Sequence, residues 1–420
     1  MNDDIKVKIV AIAKDEGAYI AEWVFHHLFI GVDAIDVYIN RTTDNSFEVM
    51  DRINKEYPQV NCYSADWTDY CHPQVGKHLQ YVVYGKAFEE NRLSKEFDYI
   101  LFIDVDEFWF SKGLRKNIKE IIRAANKPIA MVFQWINEMG EEPPFRKLGQ
   151  TVKGFLHRNV KTMLHRNAPV KKLMLHYSEL DNGKVGVFCD NQQFESEEKQ
   201  SQLLKKELSK LRDVMIIHRN NRSEIEYVSL LSRGRPSDDI PIKLNRHGYN
   251  VGKKLIRLEL EADVFQRYRK ERELFFKRLD IETIIKEGQL FVLKRAERCI
   301  DSIDKVLQNH PQETRRVFCN VNYKSVVEKL AIKAHAENSN VSKDSQDEEQ
   351  FIPTFFSCLN ALFKKDANYL RDTATYFETR SLWLANFFIR RAFYARPNGA
   401  LILRKMQRYA LLRSRKSSSE

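Results

Sequence analysis

Tyr99-Ile100-Leu101-Phe102-Ile103-Asp104-Val105-Asp106-Glu107-Phe108 decides the fold. It opens as an apolar run of strand length and ends abruptly in acid. A near-continuous apolar run reads as a strand buried on both faces, as in the parallel sheet of an α/β domain. Ligands of such sheets bind beyond the carboxyl ends of the strands, where these acids stand. In an extended chain residues i and i+2 point the same way, about 6.6 Å apart. Asp104 and Asp106 are therefore expected to face one ligand together, with Val105 turned away. Two carboxylates with no basic neighbour in the motif need a cation to join them. Mn²⁺ or Mg²⁺ shared with substrate phosphates suits such a pair. The bland alternative is a strand that ends in solvent. DxD alone is common by chance, but DxDEF directly after an apolar strand is far more specific.

Upstream, strands and helices alternate. Lys6–Ala13 reads as a strand ending in Lys14-Asp15-Glu16-Gly17. A helix follows through Ile20, Trp23, Val24, His27 and Leu28, and Gly31 ends it. Ala34–Ile39 is a second strand, broken at Asn40-Arg41-Thr42-Thr43-Asp44, and Phe47–Tyr57 a second helix stopped by Pro58. Val60–Ser64 is a third strand ending near Asp66, and His72–Arg92 a long helix. Strand–helix repeated three times predicts a mostly parallel, doubly wound sheet of Rossmann-like type. All four strands end in polar or acidic residues, which makes a nucleotide crevice. No GxGxxG follows the first strand and no GxxxxGK[ST] occurs, which disfavours dinucleotide dehydrogenases and P-loop NTPases.

Downstream, Ile129–Ile136 reads as a strand ending in Asn137-Glu138, residues 141–150 as a loop, and residues 157–178 as short strands. Residues 190–213 read as a charged helical insertion, and Val214–His218 as a last strand. From about Asn250 the spacing turns helical, over Leu258–Leu279, Ile284–Leu307 and Tyr323–His335. The expected domains are 1–250, a helical region 251–336, a polar linker 337–350, and 351–420 as a helical hairpin with a basic tail.

The 420 residues carry a net charge of +11. Residues 381–420 hold nine Lys/Arg and one acid, leaving 60 basic and 57 acidic groups on the rest. A near-neutral body with a basic tail favours an anionic surface at the tail over a nucleic-acid groove through the fold. Trp383, Phe387, Phe388, Ile389, Phe393 and Tyr394 interleave there with Arg390, Arg391 and Arg396. Two readings stay open: a helix resting on anionic lipid, or a packed hairpin whose aromatics are core. No stretch approaches about 20 uninterrupted apolar residues. The acidic start does not read as a signal peptide, and six scattered cysteines without CxxC pairing read as reduced thiols. The expected location is cytoplasmic, or peripheral on the inner face of the membrane.

The order KDEGAYIAEWVFHH (14–27), GVDAIDVYINRTTDNS (31–46) and FDYILFIDVDEF (97–108) resembles the bacterial family 2-like glycosyltransferases of GT-A fold. It looks closest to the subgroup with an EW…H…G motif and a DxDEF motif. The likeness covers roughly residues 5–250. IIHRNNRSEIEYVSLLSRG (216–234) is similar to that subgroup's HYxxKSxEEF…RG segment, departing at Arg219 and Leu231.

The resemblance implies transfer of a sugar from a nucleotide sugar, with UDP the commonest choice, to a hydroxyl of a glycan or glycolipid acceptor. Bacterial surface polysaccharide or lipooligosaccharide synthesis is the implied setting, with a divalent cation on the diphosphate. It places Asp106 on the metal, Asp104 on the ribose or the metal, and Glu107 behind them. Lys14, Glu16, Asn40, Asp44 and Asp66 would surround the donor, with Gln80 and Tyr84 nearby and His176 at the diphosphate or acceptor. His218 would complete the metal site. Against this, Asp15 and Asp44 also suit helix caps, and Gln80 and Tyr84 also suit helix packing. Each histidine taken singly suits a structural role. An inverting reaction needs a carboxylate base, for which Glu138 and Asp190 are the candidates. The alternatives are an aspartate-dependent phosphohydrolase or phosphotransferase, a nucleotidyltransferase, and a non-catalytic membrane-associated scaffold. Phe108 and the acidic Lys14–Gly17 loop count against the first two.

Overall fold

The structure is a computed structural model. It describes residues 4–76, 78–198, 200–233, 242–252, 254–323, 325–326, 330, 366–378, 381–396 and 400–417. The chain divides into two compact units, Met1–Val326 and Val327–Glu420.

The first unit begins β1 (Val7–Ala13), α1 (Ile20–Phe29), β2 (Ala34–Ile39), α2 (Ser46–Glu56), β3 (Val60–Ser64), α3 (Pro73–Gly76), α4 (Leu79–Ser94) and β4 (Tyr99–Phe102). It continues with β5 (Glu107–Ser111), α5 (Ile118–Ala124), β6 (Ala130–Glu138), β7 (Thr151–His165), β8 (Val170–Lys172) and β9 (Glu179–Leu180). Then come β10 (Ser196–Glu197), β11 (Gln200–Leu204), β12 (Val214–His218), α6 (Glu224–Leu231), β13 (Leu255–Glu259), α7 (Ala262–Leu279), α8 (Glu282–Asn309) and α9 (Pro311–Val317).

The main sheet runs β3-β2-β1-β4-β7-β6-β12-β5. Strands β1 to β4 pair parallel, as do β6 and β12. The long β7 runs antiparallel between β4 and β6, and β5 is an antiparallel edge on β12. The α/β class is as expected, and the sheet is mixed. The β4 run is buried on both faces as its composition requires: Tyr99 and Leu101 join the core under α1, α2, α7 and α8, while Ile100 and Phe102 join the core under α4. Strict alternation across the sheet causes that division.

Three expectations are corrected. The acidic motif does not continue the strand: β4 stops at Phe102, and the Glu107 N–H donates to the Asp104 carbonyl at 2.9 Å, closing a turn. Residues 190–213 hold no α-helix among the described residues, only a short 3₁₀ turn at Lys206–Leu208. They form the β10–β11 hairpin, because Leu204 inserts into a core with Val132, Val160, Phe188 and Phe194, and Leu203 pairs with Asn159 of β7. Residues 255–259, counted as helix, form β13 along the opening of β7, where backbone pairing overrides helical spacing. Helices α7, α8 and α9 belong to the first unit. Gly288 of α8 approaches the loop after β1 so closely that a Cβ would lie 2.7 Å from the Ala18 nitrogen.

The second unit holds α10 (Ala367–Phe377), α11 (Leu382–Ala395) and α12 (Ala400–Ser417). Its own core is Leu370, Ala374, Ala385, Phe388, Ile389, Ala392, Ile402 and Tyr409. Within the expected hairpin, 351–420, α10 and α11 are separate helices, capped at Asp366 and Ser381. The expected linker 337–350 and most of the helix expected at 323–335 lie outside the described residues, as does Cys358. The five other cysteines are free thiols. Among the described residues no helix is long and apolar enough to cross a membrane.

Candidate active site

The carboxyl ends of β1, β2, β3, β4, β6 and β12 share one edge of the sheet, and most of the singled-out residues stand there. The chain leaves β4, turns through Asp104-Val105-Asp106, and re-enters as β5 beside β12, pairing Glu107 with His218. That jump across β7, β6 and β12 parts the two aspartates. Asp104 faces Gln80 Nε2 at 3.4 Å and Lys161 Nζ at 3.3 Å. Asp106 faces His218 Nε2 at 3.4 Å. The two carboxylates therefore have separate partners, and the i, i+2 geometry of an extended chain does not apply.

Sequence reasoning missed Lys161 as a partner. Its ammonium is buried between Asp104 and Glu107, 3.1 Å from Glu107 Oε2. Burial alone would lower its pKa, but the two carboxylates outweigh burial and raise it, so Lys161 stays charged. Glu107 Oε2 also accepts from the Asp104 N–H at 2.9 Å, and Trp23 Nε1 donates to the Glu107 carbonyl at 2.8 Å. Glu107 thus ties the turn to the sheet and to α1.

Burial would raise the Asp106 carboxyl, but His218, Arg222 and Arg246 outweigh it and hold it well below the usual range. A cationic wall stands around it. Arg222 pairs with Glu16 at 3.4 Å and stacks on the Tyr19 ring at 3.4 Å. Arg233 also pairs with Glu16. Burial, with the charges of Arg233 and Arg246 nearby, pushes the Lys243 ammonium well below its ordinary range. Three arginines, Arg222, Arg233 and Arg246, around the carboxylates of Glu16 and Asp106 leave the crevice suited to an anion. Arg222 and Arg233 lie inside the segment whose likeness was noted; Lys243 and Arg246 carry no local signal.

The loops after the strands hold the remaining residues. Lys14 lends its carbonyl to Arg233 at 3.3 Å. Asn40 is buried and donates to Asp66 Oδ1 at 3.1 Å, which also accepts from the Arg41 N–H. Asp44 accepts from the Gly17 and Ser46 N–H groups, so it organises the loop. Asp15, Arg41 and Arg222, each shortly after a strand, have φ near +50°. Such strain in non-glycine residues concentrates at functional sites. His176 rests on Trp135, its ring centroid 5.0 Å away, and burial lowers it to about 4. Tyr84 is core, packed on Phe102.

Of the two candidate bases, Glu138 stands at the carboxyl end of β6 but is engaged by an arginine, and Asp190 lies at the opposite end of β12. Glu138 is buried with its carboxylate 2.6 Å from Arg219 Nε; Arg219 also pairs with Glu22, and Glu22 with Arg272. That network supports the loop after β12, whose Arg219 N–H donates to the Asp106 carbonyl at 2.7 Å. Asp190 pairs with Lys210 and Arg212 at the amino end of β12, about 13 Å of strand from His218. It lines a separate groove of about 760 Å³ there.

No three His, Cys, Asp or Glu side chains converge as a metal-ligand set among the described residues. Asp106 and His218 nevertheless fit a small divalent cation as a partial set. Their facing atoms are 3.4 Å apart. Mg²⁺ is commonly held by one or two protein groups, with phosphates and water completing its shell. No protein-family model matches this chain, and no curated protein does either.

Proposed function

We propose that the chain is a metal-dependent glycosyltransferase moving a sugar from a nucleotide sugar, UDP-linked by first choice, to a hydroxyl of a glycan acceptor. The likeness of its motif order to family 2-like enzymes of GT-A fold supports this, and so does an α/β sheet whose strand ends meet in an acidic and cationic crevice. The observation that carries the reading is the Asp106–His218 pair opposite Arg222 and Arg233. A diphosphate has the charge and size that such a pair, bridged by a cation, and such a wall recognise together.

Asp106 and His218 would hold Mn²⁺ or Mg²⁺, whose charge offsets that developing on the departing nucleoside diphosphate. Arg222 and Arg233, beside Asp106, would meet the same phosphates. Asp104, partly exposed and held in place by Lys161 and Gln80, would accept from a ribose hydroxyl. Asn40 and Asp66, joined by a hydrogen bond at the ends of β2 and β3, would contact the nucleoside. Lys161 and Glu107 keep the turn in one shape, so the acids need no rearrangement when the donor arrives.

The test is release of nucleoside diphosphate from a panel of nucleotide sugars in the presence of Mn²⁺. Release with one donor, falling at least about a hundredfold in Asp106→Asn, is the expected result. Release that Asp106→Asn leaves unchanged, or none from any donor by folded protein, contradicts the proposal.

A further inference from the structure

Between Glu378 and Glu420 the chain carries ten Lys/Arg and no Asp or Glu. The structure sorts part of this stretch by face. On α11, Ala385, Phe388, Ile389 and Ala392 are buried, whereas Arg390, Arg391 and Tyr394 point outward. On α12, Ile402 and Tyr409 are buried one heptad apart, whereas Leu401, Arg404 and Arg408 form an exposed i, i+3, i+7 stripe. Tyr394 is 76% exposed and Leu401 57%. Lys405 and Arg408 pair with Glu378, so that acid is already engaged by the unit's own cations.

The two readings of the tail are thus divided between two faces of the same helices. Phe388 and Ile389 are core, and the outward face combines arginines with an exposed tyrosine and leucine. We propose that this face docks the protein on an anionic lipid surface. Arginine and lysine near such a surface are drawn by its negative potential, while tyrosine and leucine gain by entering the headgroup–acyl boundary. A nucleic-acid backbone offers the arginines partners but gives the exposed leucines nothing to enter. The absence of acid in residues 379–419 removes the repulsion that a mixed-charge surface would meet. This inference stands on the second unit alone and does not depend on the transferase reading.

The test is co-sedimentation of the full chain with vesicles of phosphatidylcholine alone or of phosphatidylcholine with phosphatidylglycerol. Wild type is expected to bind the anionic vesicles, to release them as salt rises, and to ignore the neutral ones. Arg390→Gln/Arg391→Gln/Arg404→Gln alters only exposed side chains and should weaken binding by about a hundredfold, at roughly fivefold per cation. Tyr394→Ser/Leu401→Ser should weaken it while leaving the salt dependence in place. Circular dichroism confirms the helices of each variant. Equal binding of the arginine variant and wild type, equal binding to both vesicle types, or binding to oligonucleotides but not to vesicles overturns the proposal.

Discussion

Lys161 is the residue on which the acidic turn rests. It is 2% exposed beside a fully buried Glu107, and one ammonium serves two carboxylates. Removing one member of a buried ionic group leaves the others uncompensated, at about 3–5 kcal/mol. Lys161→Met should therefore lower the unfolding free energy by that amount in urea titration. Lys161→Met/Glu107→Gln should regain part of the loss, because the double change removes opposed charges. If both variants match wild type, the ion group has no structural weight. Asp106 and His218 were legible in the sequence because each follows a buried strand at the same sheet edge. Lys161 was not, since its link to Asp104 joins residues 57 apart and depends on the pairing of β7 with β4. The engagement of Glu138 was hidden for the same reason: an acid at a strand end is visible, but the Arg219 that pairs with it is 81 residues away.

Strands showed best in the sequence where they are buried on both faces, as β1, β2, β4 and β12 are. Hydrophobic runs and their polar ends state both the strand and its boundary. Elements decided by partners were misread. The β10–β11 hairpin and β13 hold their shape by pairing with β7, while their polar sequences also suit helices. Helix α8 illustrates an element whose seat is set by a single atom's absence. Gly288→Val would bring a side chain against the Ala18 nitrogen and the Gly17 carbonyl carbon, 2.7 and 2.8 Å from a Cβ. Thermal unfolding should show a loss of about 1–3 kcal/mol, with weaker nucleotide binding because the loop after β1 moves. Unchanged stability would mean that the helix is not pressed on that loop.

Helix α1 carries a titration device of the same kind. His26 bridges the Trp109 carbonyl at 2.7 Å and the Tyr268 hydroxyl at 3.1 Å, and burial lowers its pKa to about 4. The unfolded chain, at about 6.5, takes up the proton first. Native stability therefore falls as pH drops from about 6.5 to 4, by up to about 1.4 kcal/mol per pH unit, and this loss stops below. Above that window the histidine is neutral in both states and has no effect. Unfolding free energies of wild type and His26→Gln compared across the window should show the shallower slope in the variant. Parallel slopes would remove His26 from the acid sensitivity.

At the scale of the whole molecule, the change of character near residue 250 was visible, but its meaning was not. Helices α7 and α8 complete the core beneath β1 and β2 instead of forming a region apart, with Tyr268, Phe275, Ile284 and Ile285 in the same cluster as Ile9 and Ile35. Arg295 of α8 reaches Asp15 at 3.2 Å, so the loop bordering the crevice is braced by a residue 280 positions on. Periodicity reports that a helix exists and which side is apolar; it does not say which sheet that side covers. The central claim is that Asp106 and His218, facing the cationic wall, form a nucleoside-diphosphate site that uses a divalent cation. Thermal shift with UDP and other nucleoside diphosphates, with and without Mn²⁺, on wild type and Asp106→Asn tests it most directly. A stabilisation that needs both nucleotide and Mn²⁺, present in wild type and lost in the variant, is the expected result. An equal shift in both proteins, or no shift with any nucleotide, contradicts it.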